Sequence, residues 1–219
     1  MPIKRKIFTV GGHCDYSNWM EAQEVSTMEK SDLVLFTGGE DVSPSLYGEK
    51  PHKFNGYNAR RDAFEVPEFK KAIKLNKKII GICRGAQLAC AMAGGKLVQH
   101  QGNPEVYHRI QTPDNKRLLV SSLHHQAQYP WPMSKDRYKI LGYSIGQNDF
   151  HLDAKDKEMV QGVVENDIEV EDVFYPEIKA FGIQSHPEML FRGYGYSKMF
   201  QDTVAHYREL LDKLMDNKL

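Results

Sequence analysis

Cys83 stands in the run Gly81-Ile82-Cys83-Arg84-Gly85, between an apolar stretch, Lys77 to Ile82, and a helix-forming stretch, Ala86 to Ala93, that stops at Gly94-Gly95. Strand, sharp turn and helix in that order, with a glycine two places before and two after the central residue, are what a nucleophile elbow requires. The turn is strained, and a Cβ at either glycine would meet neighbouring backbone. At a helix N-terminus the unpaired N–H groups and the helix dipole favour the thiolate, which is the attacking form. The same segment is also compatible with a small, packed, unreactive thiol, and Cys90, lying among Ala and Leu, reads as core.

A cysteine nucleophile needs a base, and the base needs a group that fixes its orientation. In "AFGIQSHPEM" an apolar strand runs into His186, Pro187 ends the pairing, and Glu188 follows two places on. In extended chain i and i+2 share a side, which puts Glu188 within reach of the imidazole. A merely capped or solvated strand-end histidine would look the same in isolation. Acyl transfer also needs donors for the developing oxyanion. "DLVLFTGGEDVSP" ends a buried-type strand at Gly38-Gly39, whose bare backbone N–H groups can approach a ligand, and the Arg84 N–H just after the cysteine is the usual second donor of an elbow. An ordinary strand-to-loop turn would also explain the two glycines.

These residues need strands and helices to position them. Strand-like runs recur at 6–10, 32–36, 77–82, 117–122, 159–165 and 178–185. Between Asp62 and Asn76, and again over the last 20 or so residues, apolar positions fall at helical spacing and predict amphipathic helices. The strands at 32–36 and 77–82 flank the first of these helices, as in a right-handed βαβ unit with parallel strands. The polar, proline-bearing stretches 101–113 and 126–137 are predicted as surface loops. The pattern predicts an α/β fold: a single domain over residues 1–219, with a mostly parallel central sheet flanked by helices.

Three motifs thus stand in order, "TGGED" (37–41), "GICRGAQL" (81–88) and "GIQSHPE" (182–188), and with "RRDAFE" (60–65) and "SSLHHQA" (121–127) they resemble the class I glutamine amidotransferase-like superfamily. The last two look like its gamma-glutamyl hydrolase branch, the gamma-glutamyl-gamma-aminobutyrate hydrolase type. The resemblance implies a flavodoxin-like architecture and a Cys-His-Glu triad. Cys83 would attack the gamma-carbonyl of a gamma-glutamyl compound or glutamine to give a thioester, His186 would shuttle protons and Glu188 would orient it. It further implies oxyanion N–H groups from Gly39 and Arg84, a glutamyl contact from Gln87, and a pocket position for His124 or His125, although a loop pair without a ligand fits those two histidines as well. Glu40 departs from the family's frequent third glycine and reads as an outward loop charge. The first 30 residues and the stretch 101–116 carry little of the family's pattern.

The bulk properties narrow the partners. With 29 basic against 29 acidic residues there is no net field to attract nucleic acid or an anionic membrane. The apolar runs are far shorter than the roughly 20 residues of a membrane span, and the N-terminus lacks a signal peptide's apolar core. A cytoplasmic location is therefore expected, and with it reduced thiols for Cys14, Cys83 and Cys90, which form no CxxC pair. His13-Cys14-Asp15 are adjacent and have no second half at metal-ligand spacing, so neither metal nor other cofactor is expected. The expected partner is a small gamma-glutamyl substrate or glutamine, with a homo-oligomer or a separate synthetase as the protein partners compatible with the sequence. Three readings follow: a free-standing hydrolase releasing glutamate and an amine, a glutaminase subunit that passes ammonia to a synthetase, and an inactive gamma-glutamyl binder.

Overall fold

The structure, a computed structural model, describes residues 5–12, 16–52, 55–99, 107–121, 123–145, 168–192 and 198–219. The strand expected at 159–165 and the His13-Cys14-Asp15 cluster lie outside them. In chain order the elements are β1 (Arg5–Val10), α1 (Ser17–Met20), β2 (Ala22–Glu24), β3 (Leu33–Phe36), α2 (Ala59–Lys74), β4 (Lys78–Ile82), α3 (Arg84–Ala93), β5 (Lys96–Val98), β6 (Tyr107–Gln111), β7 (Arg117–Ser121), β8 (Ala127–Tyr129), β9 (Lys139–Ile145), β10 (Ile168–Tyr175), β11 (Ala180–Ile183), α4 (Pro187–Arg192) and α5 (Lys198–Met215).

One sheet runs β2-β1-β3-β4-β11-β10-β9-β6-β7, and β5 pairs with β8 beside it. The half from β2 to β11 is parallel, with β3 beside β4 as the expected βαβ unit and β4 beside β11. From β10 onward every pairing is antiparallel. The parallel half holds wholly apolar runs such as Leu33–Phe36, buried at all four positions because both faces are covered. Alternation assigns the two faces. Leu33, Leu35, Ile80 and Ile82 pack under α5 and α1, with Trp19, Tyr207, Leu211 and Leu214. Val34, Phe36 and Ile79 pack under α2 and α3, with Phe69, Ala72, Leu88 and Ala89. Burying each large apolar side chain of this kind favours folding by roughly 1.5–3 kcal/mol.

Two expected loops contain strands. β6 occupies 107–111, where Tyr107 and Arg109 are exposed and Ile110 is buried, the alternation of an antiparallel strand with one wet face. β8 occupies 127–129, and its Gln128 is buried because Nε2 donates to Glu171 O at 2.9 Å while Oε1 accepts from the Tyr175 hydroxyl at 3.0 Å. A polar composition suggested solvent, whereas tertiary hydrogen bonds satisfy these side chains inside. Among the described residues no helix is long and apolar enough to cross a membrane.

Candidate active site

The site forms where β3, β4 and β11 end on one edge of the parallel half. β4 delivers Cys83 to the N-cap position of α3, with φ 51° and ψ −107°. That backbone region is sparsely populated for any residue with a Cβ, and holding it costs on the order of 1–3 kcal/mol. Three bonds enforce it: Cys83 N donates to Ile183 O at 2.7 Å, and Cys83 O accepts from Ala86 N at 2.9 Å and Gln87 N at 3.1 Å. The flanking glycines answer to close approaches. A Cβ on Gly81 would run into the Gly85 backbone, and one on Gly85 into Phe36 O. The thiol side chain is buried at 4% exposure. Arg84 is the first residue of α3, so its N–H has no intrahelical acceptor.

β11 leads into His186, the candidate base. His186 Nδ1 lies 2.7 Å from Glu188 Oε1, and since a carboxylate only accepts, the ring donates there and leaves Nε2 as its other polar atom. Glu188 is itself 3% exposed, in the first turn of α4. Burial alone would push the imidazole pKa down. Hydrogen bonds to Cys83 and to Glu188 outweigh it and raise the value to about 10. The Ser121 hydroxyl clamps the backbone of the same residue, accepting from His186 N at 2.9 Å and donating to His186 O at 3.2 Å. Gly38 closes the third side: an added Cβ there would lie 2.7 Å from His186 Cε1 and 3.6 Å from Cys83 Cβ. Cys83, His186, Glu188 and Gly38 are thus brought together.

The residues expected around this centre fall differently. Gly39, at φ 146°, faces Arg61. Gln87 is buried, with Nε2 donating to Gln126 O at 3.3 Å and Oε1 without a hydrogen-bond partner. His124 is buried and His125 exposed. His124 Nδ1 reaches the same Gln126 O at 3.0 Å, and burial above all lowers its pKa to about 4, which keeps the ring neutral. Glu40 is an exposed loop charge, 3.5 Å from Arg61. Cys90 is core, its Sγ donating to Lys96 O at 3.2 Å, and burial pushes its thiol up to about 11.

In the sequence, "RRDAFE" reads as a hydrolase-branch motif at the start of the helix expected from Asp62, and the fold gives its charges their partners. Asp62, Glu65, Phe69 and Ala72 are the buried stripe of α2. The wholly buried Arg84 guanidinium pairs with Asp62 at 2.5 Å and with Glu65. Glu65 also takes Arg61 Nε at 2.6 Å, and Arg61 Nη2 donates to Thr37 O at 3.1 Å and Thr37 Oγ1 at 3.0 Å. Asp62 Oδ2 accepts from Ser43 N at 3.0 Å. One ionic chain therefore ties the elbow to the Thr37–Ser43 loop that carries Gly38 and Gly39. Ser121 had a signal too, standing in "SSLHHQA".

This is an α/β protein with a strained cysteine at a strand-to-helix elbow and a His–Glu pair just past the end of the neighbouring strand. The chain belongs to the Peptidase C26 family, whose pattern it matches over residues 18–188, within the class I glutamine amidotransferase-like superfamily. It is 32% identical to the glutamine amidotransferase-like protein YvdE of Lactococcus lactis, over 80% of this chain and 73% of that protein. It is 31% identical to protein NtpR of Enterococcus hirae, over 74% of this chain and 69% of that one. Among solved structures it resembles a glutamine amidotransferase from Thermotoga maritima at TM-score 0.54 and 16% identity, covering 96% of this chain and 94% of that one. PurLQS from the same organism gives TM-score 0.53 at 15% identity, covering 92% and 98%. At such identities the structures speak to the fold alone.

Proposed function

We propose that the protein is a cysteine-dependent hydrolase of the gamma-glutamyl hydrolase branch, which cleaves a gamma-glutamyl amide bond through a thioester. The carrying observation is the imidazole of His186, held between Cys83 and Glu188 with its pKa raised to about 10 by those partners against its burial. Those partners stabilise the imidazolium form of His186 beside the Cys83 sulfur.

In the first half-reaction the Cys83 sulfur attacks the gamma-carbonyl carbon, and the carbonyl π electrons move to oxygen. The N–H groups of Gly39 and Arg84 stabilise the oxyanion, each such donor being worth about 2.7–4 kcal/mol. When the carbonyl re-forms, the C–N bond breaks, and His186 gives its proton to the leaving amine. In the second half, neutral His186 takes a proton from water, hydroxide adds to the thioester, and glutamate leaves with Cys83 restored as thiolate. Glu188 keeps the ring in one tautomer throughout, and Gln87 contacts the glutamyl group.

The test is glutamate release from a panel of gamma-glutamyl amines and glutamine, with mass detection of the amine. Wild-type protein should turn over at least one member and Cys83→Ala none. A folded wild-type protein inactive on the whole panel overturns the proposal. Glutamine turnover that appears only on adding a synthetase would point instead to a glutaminase subunit, a reading that the names of the relatives favour.

A further inference from the structure

Behind Gln87 lies a second cluster of chemistry-bearing side chains that the hydrolase reading does not use. His124, Glu169 and Glu171 each offer one ligand atom, and these atoms all lie within 4.8 Å of one another, with all three residues buried. Glu169 and Glu171 come from β10, at a bulge: Val170 pairs with Tyr143 and Asp172 with Gly142, so Glu171 is the extra residue. Bulges re-aim side chains in this way and recur beside functional sites.

The hydrogen-bond directions decide what the cluster can hold. Gln126 O can only accept, so His124 Nδ1 carries a proton and Nε2, on the other side of the ring, is the atom the cluster can use. What stands 3.9 Å from Nε2 is Glu171 Oε2, a buried carboxylate oxygen with no hydrogen-bond partner. The 3.9 Å gap is too long for a hydrogen bond, so the buried oxygen is left unsatisfied by its neighbour. A cation between them, bonded at about 2.1 Å to each, could reach both, since two such bonds span up to about 4.2 Å, and a small inward turn of either side chain would bring the angle to tetrahedral.

The remaining atoms of the ligands are tethered as outer-shell partners tether metal ligands. Glu171 Oε1 receives His108 Nε2 at 2.7 Å, Glu169 Oε2 receives the Ser144 hydroxyl at 3.1 Å, and His124 Nδ1 is fixed on the carbonyl. We infer that His124, Glu169 and Glu171 form a mononuclear site for a divalent transition-metal ion of the zinc type, joining β10 to the turn before β8. One imidazole nitrogen with two carboxylates is borderline chemistry suited to zinc or cobalt, harder than a thiolate site and softer than an all-oxygen one. The inference is independent of the hydrolase reading, because no step of that reaction passes through these residues. It takes His124 out of direct substrate contact. The carbonyl of Gln126, shared by His124 and Gln87, is the link by which an ion would steady the candidate glutamyl pocket.

The experiment uses full-length Cys83→Ala protein, so that the thiol cannot bind the probe. Cobalt(II) titration, followed by visible absorption, should show one ion per chain. Zinc should raise the melting temperature, since an ion that binds the folded state stabilises it. Glu169→Gln and Glu171→Gln should each abolish the cobalt spectrum and the zinc shift. Ser144→Ala, which leaves every ligand in place, should weaken binding about tenfold. Folded Cys83→Ala protein with no saturable cobalt binding overturns the inference without recourse to the variants. Undiminished affinity in folded Glu169→Gln, Glu171→Gln or Ser144→Ala protein overturns it equally, because the ion then sits elsewhere.

Discussion

The guanidinium of Arg84 lies 2.5 Å from Asp62 and pairs as well with Glu65, both on α2, and all three groups are shut away from solvent. A buried ion pair is weak support for stability when compared with apolar replacements, but breaking one strands an uncompensated charge. Arg84→Met should therefore destabilise the fold by about 3–5 kcal/mol, read from urea unfolding. Replacing the network whole, with Asp62→Leu and Glu65→Met added, should recover most of that loss. Activity should not recover, because without Glu65 the Arg61 tether on Thr37 is lost and the loop carrying Gly38 and Gly39 is no longer held. A triple variant that is both stable and fully active would show that the network serves packing alone.

That network marks the boundary of what the sequence discloses. The elbow is legible because its signal is local: Gly81, Cys83 and Gly85 fall within five residues, and the glycines answer to contacts that the turn makes with itself and with Phe36. His186 and Glu188 are legible as neighbours because they are two residues apart, although Pro187 starts a helix there and the contact is made from its first turn rather than from extended chain. Arg84 and its acids are separated by 19 and 22 residues, and nothing in α2's helical period says that a stripe beginning Asp62, Glu65 goes inward with Phe69 and Ala72. Polar residues that fold satisfies internally are the general blind spot. Gln128 made its segment look like a loop, and the charged run around Glu169 and Glu171 hid β10, which no strand signal marked, because β9 and the turn at His124 bury both carboxylates.

The backbone of Cys83 is held at φ 51° and ψ −107°, a conformation glycine adopts without penalty and alanine does not. Cys83→Gly and Cys83→Ala should both be inactive, but they should differ in stability. Relief of strain should make the glycine variant the more stable of the two by about 1 kcal/mol, even though glycine ordinarily loses to alanine by about that amount through chain entropy. Denaturation midpoints at equal protein concentration measure the difference. An alanine variant more stable than the glycine one would mean the turn is not strained.

The His186 pKa, raised to about 10 from an ordinary 6.5, carries a definite sign. Both folded and unfolded chains bind this proton below about pH 6.5, so the stabilisation from its partners is complete there. As pH rises the unfolded chain releases the proton first, and the contribution falls progressively until the folded imidazolium also titrates near pH 10. Unfolding midpoints should therefore fall between pH 6.5 and 10, and Cys83→Ala, which removes one of the two partners, should flatten the fall. Carbon-13 chemical shifts of the ring read the proton directly. At pH 8 the ring should still be protonated in wild-type protein, and titration near its ordinary value would remove the basis for an imidazolium beside the Cys83 sulfur.

Gly38 offers the sharpest separation of geometry from stability. Its added Cβ would stand 2.7 Å from His186 Cε1, closer than such atoms approach, while its contact to Cys83 Cβ, at 3.6 Å, would be ordinary. The methyl group should therefore displace the imidazole and leave the cysteine in place. Because a misplacement of about 1 Å in a reacting group can cost 10²-fold, Gly38→Ala should lower kcat/KM by roughly that factor. Its circular dichroism should match wild type, since the position lies at a strand end and is only half-buried. The loss should appear in kcat rather than KM, as in the proposed reaction the ring moves protons and does not hold the glutamyl group. Labelling of Cys83 by a small alkylating agent should persist. A folded Gly38→Ala enzyme with wild-type kcat would show that the imidazole is free to yield and that Gly38 does not set its position.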